Sequence, residues 1–205
     1  VEMDGQRQVV IVSANLVSGH RLDDGKQLWS HTWEGSSNSS ASVSQAVYLG
    51  NNRLLLSKGY GVGSSVIEVQ RQPAGQDAAS YKTVEIWANR AVLKTKFTNV
   101  ASKGGYAYGL SDGILECVDL SDGSRRWKQG RMGQGQLLRL DNVLVVLAEN
   151  GTVWYVAVDP ESFNPLSKFK AVSGKCWATL CLYDNLLIVR AEEVAACFEL
   201  PVTRQ

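Results

Sequence analysis

Apolar and polar residues alternate with a period of two along nearly the whole chain. Short runs, β-branched or alternating, recur at 9–12, 15–21, 53–57, 65–70, 106–110, 114–120, 142–148, 152–158, 186–190 and 194–200. Turn formers stand between them: Asp4-Gly5, Asp23-Asp24-Gly25, Gly50-Asn51-Asn52, Ser111-Asp112-Gly113, Ser121-Asp122-Gly123, Asp141-Asn142, Glu149-Asn150-Gly151 and Asp184-Asn185. Strands spaced this tightly and joined by such turns predict antiparallel meanders. No stretch of about 11 residues keeps a helical period. Residues 71–82 are polar and contain Pro73 and Gly75, so they read as an exposed hairpin extension or loop.

The strands group into repeats. Residues 117–127 run Cys-Val-Asp-Leu-Ser-Asp-Gly-Ser-Arg-Arg-Trp, and 19–29 run Gly-His-Arg-Leu-Asp-Asp-Gly-Lys-Gln-Leu-Trp. Gly123 and Gly25 each precede a tryptophan, Trp127 and Trp29, by four residues. Weaker copies end at Trp87 and Phe169; the aromatics at 87, 127 and 169 are 40 and then 42 residues apart. A period of about 40–45 residues with four strands per unit is the signature of propeller blades. One four-stranded sheet cannot bury both faces alone, whereas radial stacking buries each against a neighbour. The expected fold is all-β: a β-propeller of four-stranded antiparallel blades, about four and a half in this chain. They fall near 1–33, 43–88, 97–129, 136–171 and 176–200, as one partial propeller over 1–205. The glycine permits a positive-φ turn before the outer strand, and the tryptophan packs between blades with its N–H seeking a polar partner. Blade-docking residues are therefore expected at Trp29, Trp87, Trp127, Gly25, Gly123 and Asp119. The last unit lacks its fourth strand while Val1 begins an inner one, so the chain is expected not to close on itself. Its two open sheet edges invite pairing into a homodimer.

Composition narrows the function. With 21 Lys+Arg against 20 Asp+Glu in 205 residues, the net charge of +1 offers no broad basic surface for nucleic acid. No apolar run approaches the roughly 20 residues of a membrane helix. The chain opens at Val1 without a signal-peptide pattern, which reads as a processed or excised piece. The four cysteines, Cys117, Cys176, Cys181 and Cys197, are too few for a disulfide scaffold, and with two histidines they make no zinc-binding spacing. Cys176 and Cys181, in one strand segment, would lie about 16 Å apart on opposite faces. Cys117 and Cys197 read as small buried hydrophobes. His20 and His31 read as surface strand residues.

Three segments carry candidate chemistry. Residues 59–64, with Tyr60 and Gly61, could expose amides to an anion but precede no helix, so a hairpin turn is the plainer reading. Arg125, Arg126, Lys128 and Arg131 surround Trp127; strict alternation would put 126 and 128 opposite 125 and 127, as solvated outer-strand charges. Glu192-Glu193 sits in a turn and faces water with no further ligand beside it. No catalytic, cofactor-binding or metal-binding set emerges. Tyr60, Gly61 and Trp177 remain as a candidate binding loop.

The spacing Asp119, Gly123, Trp127 resembles the tryptophan-docking motif of quinoprotein-like propellers, with Cys117 where that motif usually has Ala. Gly19, Arg21, Gly25 and Trp29 repeat it loosely, with Arg in the Asp place. The phrases 57–63 (Ser-Lys-Gly-Tyr-Gly-Val-Gly), 108–110 (Tyr-Gly-Leu), 133–138 (Gly-Gln-Gly-Gln-Leu-Leu) and 174–177 (Gly-Lys-Cys-Trp) resemble bacterial pyrroloquinoline-quinone-like propeller proteins. They are also similar to the propeller lipoprotein of the outer-membrane barrel-assembly machinery. The resemblance covers essentially the whole chain and looks like the C-terminal half of such a protein. It implies a periplasmic or exported location and a non-catalytic scaffold binding a protein or saccharide. Quinone dehydrogenases of this fold hold the quinone between a Trp and a vicinal Cys-Cys disulfide, beside a calcium site of Glu, Asn and Asp. No adjacent cysteines occur here, so no cofactor is expected. Pyrroloquinoline quinone with calcium belongs to the alternative, an oxidoreductase whose ligands lie in another half.

Overall fold

Each turn former bends the chain back on itself, and the result is five successive antiparallel sheets, seen here in a computed structural model that describes residues 1–34, 41, 43–72 and 81–201. Blade 1 contains β1 (Glu2–Met3), β2 (Gln6–Val12), β3 (Leu16–Arg21) and β4 (Gln27–Thr32). Blade 2 contains β5 (Val47–Gly50), β6 (Arg53–Lys58), β7 (Gly63–Arg71) and β8 (Tyr81–Asn89). Blade 3 contains β9 (Ala101–Lys103), β10 (Tyr106–Ser111), β11 (Ile114–Asp119) and β12 (Arg125–Arg131). Blade 4 contains β13 (Gln136–Leu140), β14 (Val143–Leu147), β15 (Thr152–Ala157) and β16 (Pro165–Lys170). Blade 5 has three strands, β17 (Cys181–Tyr183), β18 (Leu186–Arg190) and β19 (Ala195–Glu199). The loop expected at 71–82 lies mostly outside the described residues.

Strand order follows chain order in every sheet, so each blade is a meander. That topology gives the array two distinct ends. Turns joining first to second and third to fourth strands lie at one. Turns joining second to third strands, and the connections between blades, lie together at the other.

Packing is between blades. Met3, Val17, Trp29, Leu54 and Ile67 form the core between blades 1 and 2, and Leu55, Val66, Leu93, Ala107 and Val118 that between 2 and 3. Leu115, Cys117, Trp127, Leu144 and Val156 fill the space between blades 3 and 4, and Val145, Val153, Leu187 and Val189 that between 4 and 5. No cluster among the described residues joins blade 5 to blade 1. The far face of blade 1 accordingly exposes Val9 (45%) and Ile11 (46%), and that of blade 5 exposes Ile188 (42%) and Tyr183 (76%). Alternation is intact on these faces, but no neighbour covers their apolar members.

Some expectations change. Cys176 lies not in a strand but in the connection before β17, fully buried, while Cys181 starts the strand exposed. Cys197 is exposed rather than buried, because it sits on the open face of blade 5, whereas the corresponding Cys117 has blade 4 against it. The charges of β12 do not alternate simply. A bulge between Cys117 and Val118 pairs these residues with Trp127 and Arg125 and leaves Arg126 as the extra residue. Arg125 therefore bonds Glu116 and the Ala91 carbonyl towards blade 2, and Lys128 bonds Ser111. Arg126 joins Trp127 towards blade 4 and pairs with Glu161 at 2.7 Å. These side chains bridge elements rather than simply meeting water. His31 is half-buried against Thr83 of the next blade's outer strand, at 3.1 Å, not a free surface residue.

Candidate functional site

Tyr60, Phe97 and Trp177 lie at the end where the inter-blade connections gather, and two of them, Phe97 and Trp177, pack on each other. Tyr60 occupies the β6–β7 turn at φ +57°, with Gly61 and Gly63 also at positive φ. A Cβ on Gly63 would strike the backbone of Asn89 and Arg90, so the turn requires glycine there. Beside it, Lys96 places its ammonium 5.8 Å from the centre of the Tyr60 ring. The next residue, Phe97, packs on Trp177 with ring centroids 4.9 Å apart. Gln136 stitches the two connections together, donating to the Phe97 carbonyl at 2.9 Å and the Trp177 carbonyl at 3.1 Å. The fold thus links Tyr60 and Trp177, distant in sequence, through the Lys96–Phe97 pair.

Trp177 is 46% exposed, and its edge is fixed: its indole N–H donates to Glu149 Oε1 at 2.8 Å, while Lys175 Nζ sits 4.4 Å from the ring centre. Glu149 Oε2 also accepts the Gln134 amide at 2.9 Å. That backbone donor first, and the Trp177 indole second, hold the Glu149 carboxyl below the usual carboxylate range. Glu149 is therefore an ionised acceptor that positions Trp177. Sequence reasoning missed Lys96, Phe97, Gln136 and Glu149. Repeat register was the available signal, since second-to-third turns and inter-blade connections must converge at one end.

The other candidates lie elsewhere. The Trp87 indole donates to the Leu120 carbonyl of blade 3 at 2.9 Å, and the ring lies where a Cβ on Gly123 (φ +74°) would be, 2.5 Å from Trp87 Cε3. Asp119 Oδ1 accepts the amide and hydroxyl of Ser121, which shapes that turn. The Trp127 indole reaches the Asp159 carbonyl of blade 4, also at 2.9 Å. Trp29 differs: its N–H donates to Gln8 Oε1 within its own blade at 2.7 Å. Gly25 (φ +72°) makes the same turn as Gly123, yet nothing lies within 4 Å of the Cβ position. A further feature unseen in sequence is Lys58, fully buried with no carboxylate partner among the described residues, which ties blade 2 to blade 1 through the carbonyls of Ala14 (2.8 Å) and Trp33 (3.3 Å). Burial lowers its pKa.

The arrangement can present ring faces and ammonium groups; among the described residues it brings no nucleophile together with a base. Burial pushes the Cys117 thiol up to about 12, and that thiol faces the blade 3–4 core. His20 bonds Ser18 and the Gly25 carbonyl, away from this end. The residues also do not fit a bound quinone with calcium. Cys181 and Cys197 flank Ile188 on one face, two strand spacings or about 9.6 Å apart, too far to bridge. Among the described residues no group of three or more His, Cys, Asp or Glu could hold a metal ion.

A family sequence profile described as outer membrane protein assembly factor BamB matches residues 1–129. Among solved structures, BamB from Moraxella catarrhalis is similar over 96% of this chain and 70% of its own, at 12% identity and a TM-score of 0.50. A computationally designed protein, Ika4, is similar over 82% of this chain and 96% of its own, at 13% identity and a TM-score of 0.54. At such identities both speak to the fold alone. No curated protein sequence matches the chain.

Proposed function

Because the chain belongs to the outer membrane protein assembly factor BamB family, we propose that it is a non-catalytic binding scaffold of the bacterial envelope, periplasmic or exported. The observation that carries this reading is the exposed Trp177, fixed by Glu149 and packed on the half-buried Phe97, with the half-buried Tyr60 at the same end. Rigid aromatic anchors suit recognition, because they bury large area with little loss of side-chain freedom. A protein partner fits the family's printed role in assembly, and a saccharide stacking on Trp177 is the other ligand in scope. Trp87, Trp127, Gly123 and Asp119 act as blade-docking residues that keep this surface rigid; at the first blade Trp29 fills the core against blade 2, while Gly25 closes its turn with no ring against it. All of 1–205 then works as one partial propeller.

The test has two arms. A photo-reactive residue at position 177 should cross-link a defined envelope partner, while one at Lys26, at the opposite end, should not. Pyrroloquinoline quinone with Ca²⁺ should give neither a thermal shift nor dye-linked turnover. Turnover would establish the oxidoreductase alternative and overturn the scaffold.

The apolar outer faces of blades 1 and 5 support a second part of the proposal, a homodimer that covers Val9 and Ile11 with Ile188 and Tyr183. Light scattering that finds only monomer at high concentration refutes it.

A further inference from the structure

Next to the aromatic surface, an open cleft of about 740 Å³ runs between the outer parts of blades 3 and 4. Its walls carry Arg131 from the end of β12, Lys168 and Lys170 from β16, and Lys175 from the following connection, with Trp154 at its side and Glu149 at its inner edge. The single carboxylate accepts one hydrogen bond on each oxygen, from the Gln134 amide and the Trp177 indole. Lys175 is shared between Glu192, at 3.3 Å, and the Trp177 ring. The remaining three cations have no ion pair among the described residues. Two of them are held in place: Lys168 sits 4.4 Å from the centre of the Trp154 ring, and Lys170 donates to the Asn150 carbonyl. In a chain with a net charge of +1, these cations are gathered on one side of one end.

We propose that this cleft binds an acidic, extended segment of a partner protein. This inference rests on the scaffold reading and names the chemistry of its partner. Fixed ammonium groups beside an unpaired guanidinium give a ready-made set of donors for carboxylates. The cations are exposed along an open trough rather than converging in an enclosed pocket, which suits successive acidic side chains rather than one small anion. The trough also continues into the aromatic surface, because Lys175 and Glu149 line both. A segment whose acidic residues meet Arg131, Lys168 and Lys170 would thus bring a neighbouring apolar residue onto Trp177. Charge supplies steering and register, and the indole supplies the anchor.

The probe is a fluorescein-labelled Asp/Glu-rich peptide carrying one Trp, titrated by anisotropy at low salt. Binding is expected, weakening steeply as salt rises. The double reversal Arg131→Glu/Lys168→Glu should weaken it at least ~tenfold, and the neutral Arg131→Gln/Lys168→Gln pair by less. The reversal Arg7→Glu/Lys26→Glu, equal in charge but at the opposite end, should leave it within about twofold. Thermal unfolding of each variant separates lost binding from lost fold, and a destabilised reversal is replaced by the Gln pair. No binding to the peptide overturns the proposal, as does equal loss in both reversals. Tighter competition by inorganic phosphate or a hexose phosphate also overturns it, making the cleft a small-anion site. If the peptide fails while position 177 still cross-links a partner, the acidic-segment inference falls and the scaffold stands. If both fail, both fall.

Discussion

Replacing Gly123 with alanine tests how one blade is fastened to the next, and Gly25 supplies an internal control. Both glycines close the same turn: each amide donates to a carbonyl four residues earlier, Arg21 or Asp119, and φ is +72° or +74°. A non-glycine residue in this region costs ~1–2 kcal/mol, partly offset by ~0.4–1 kcal/mol from the stiffer unfolded chain. Gly25→Ala should therefore lose about 1 kcal/mol, since nothing lies within 4 Å of its new methyl. At Gly123 the methyl would stand 2.5 Å from Trp87 Cε3, and the ring cannot retreat without breaking its 2.9 Å bond to Leu120. Overpacking of this kind adds ~1–3 kcal/mol, so Gly123→Ala should lose about 2–4 kcal/mol. For a chain of this size that corresponds to midpoint shifts of ~2–4 °C against ~4–16 °C. Thermal and denaturant unfolding of the two variants reads the difference. Adding Trp87→Ala to Gly123→Ala should then cost less than the separate losses summed, by the clash it relieves. Equal losses at the two glycines, or strict additivity with Trp87→Ala, would refute the idea that the ring seats on this turn.

Other outcomes follow from the same geometry. Glu116 is fully buried and accepts the Leu93 amide at 2.7 Å as well as Arg125, so Glu116→Ala should cost ~1–3 kcal/mol for the orphaned amide alone, measured by urea unfolding. Glu149, whose folded pKa is depressed, contributes stability that is present above its ordinary value of 4.5 and lost as pH falls through the lower folded value. Glu149→Gln should therefore flatten the acid limb of the stability profile below about pH 4.5, with Trp177 fluorescence reporting the same change. Phe169 stands where the repeat elsewhere has tryptophan, packing on Phe198 at 5.1 Å beside an apolar groove of about 480 Å³ that reaches Leu200. Phe169→Trp should raise the unfolding midpoint by filling that groove, and a lowered midpoint would show that the junction needs phenylalanine's shape.

The candidate surface was only partly legible in sequence. Tyr60, Gly61 and Trp177 stand in glycine-rich or unusual phrases, yet nothing in sequence brings residues 60, 97 and 177 to one end. Glu149 read as a turn former in Glu149-Asn150-Gly151; only the fold shows its carboxylate holding an indole two connections away. The charges around Trp127 misled because strict alternation fails at a bulge, and a bulge leaves no period of its own. Cys197 misled for another reason: its local text matches that of Cys117, but burial depends on whether another blade follows.

What the sequence by itself determined is the element type and the repeat. A period of two with Asp-Gly and Asn-Gly turns admits little besides meanders, and a spacing near 42 residues divides them into blades, because these constraints act within a few residues of the backbone. Tertiary structure alone decided which tryptophan seats on which glycine, where the cations gather, and which faces stay open. Those outcomes depend on how one sheet stacks on the next, and stacking joins residues through space whose separation along the chain carries no local signal.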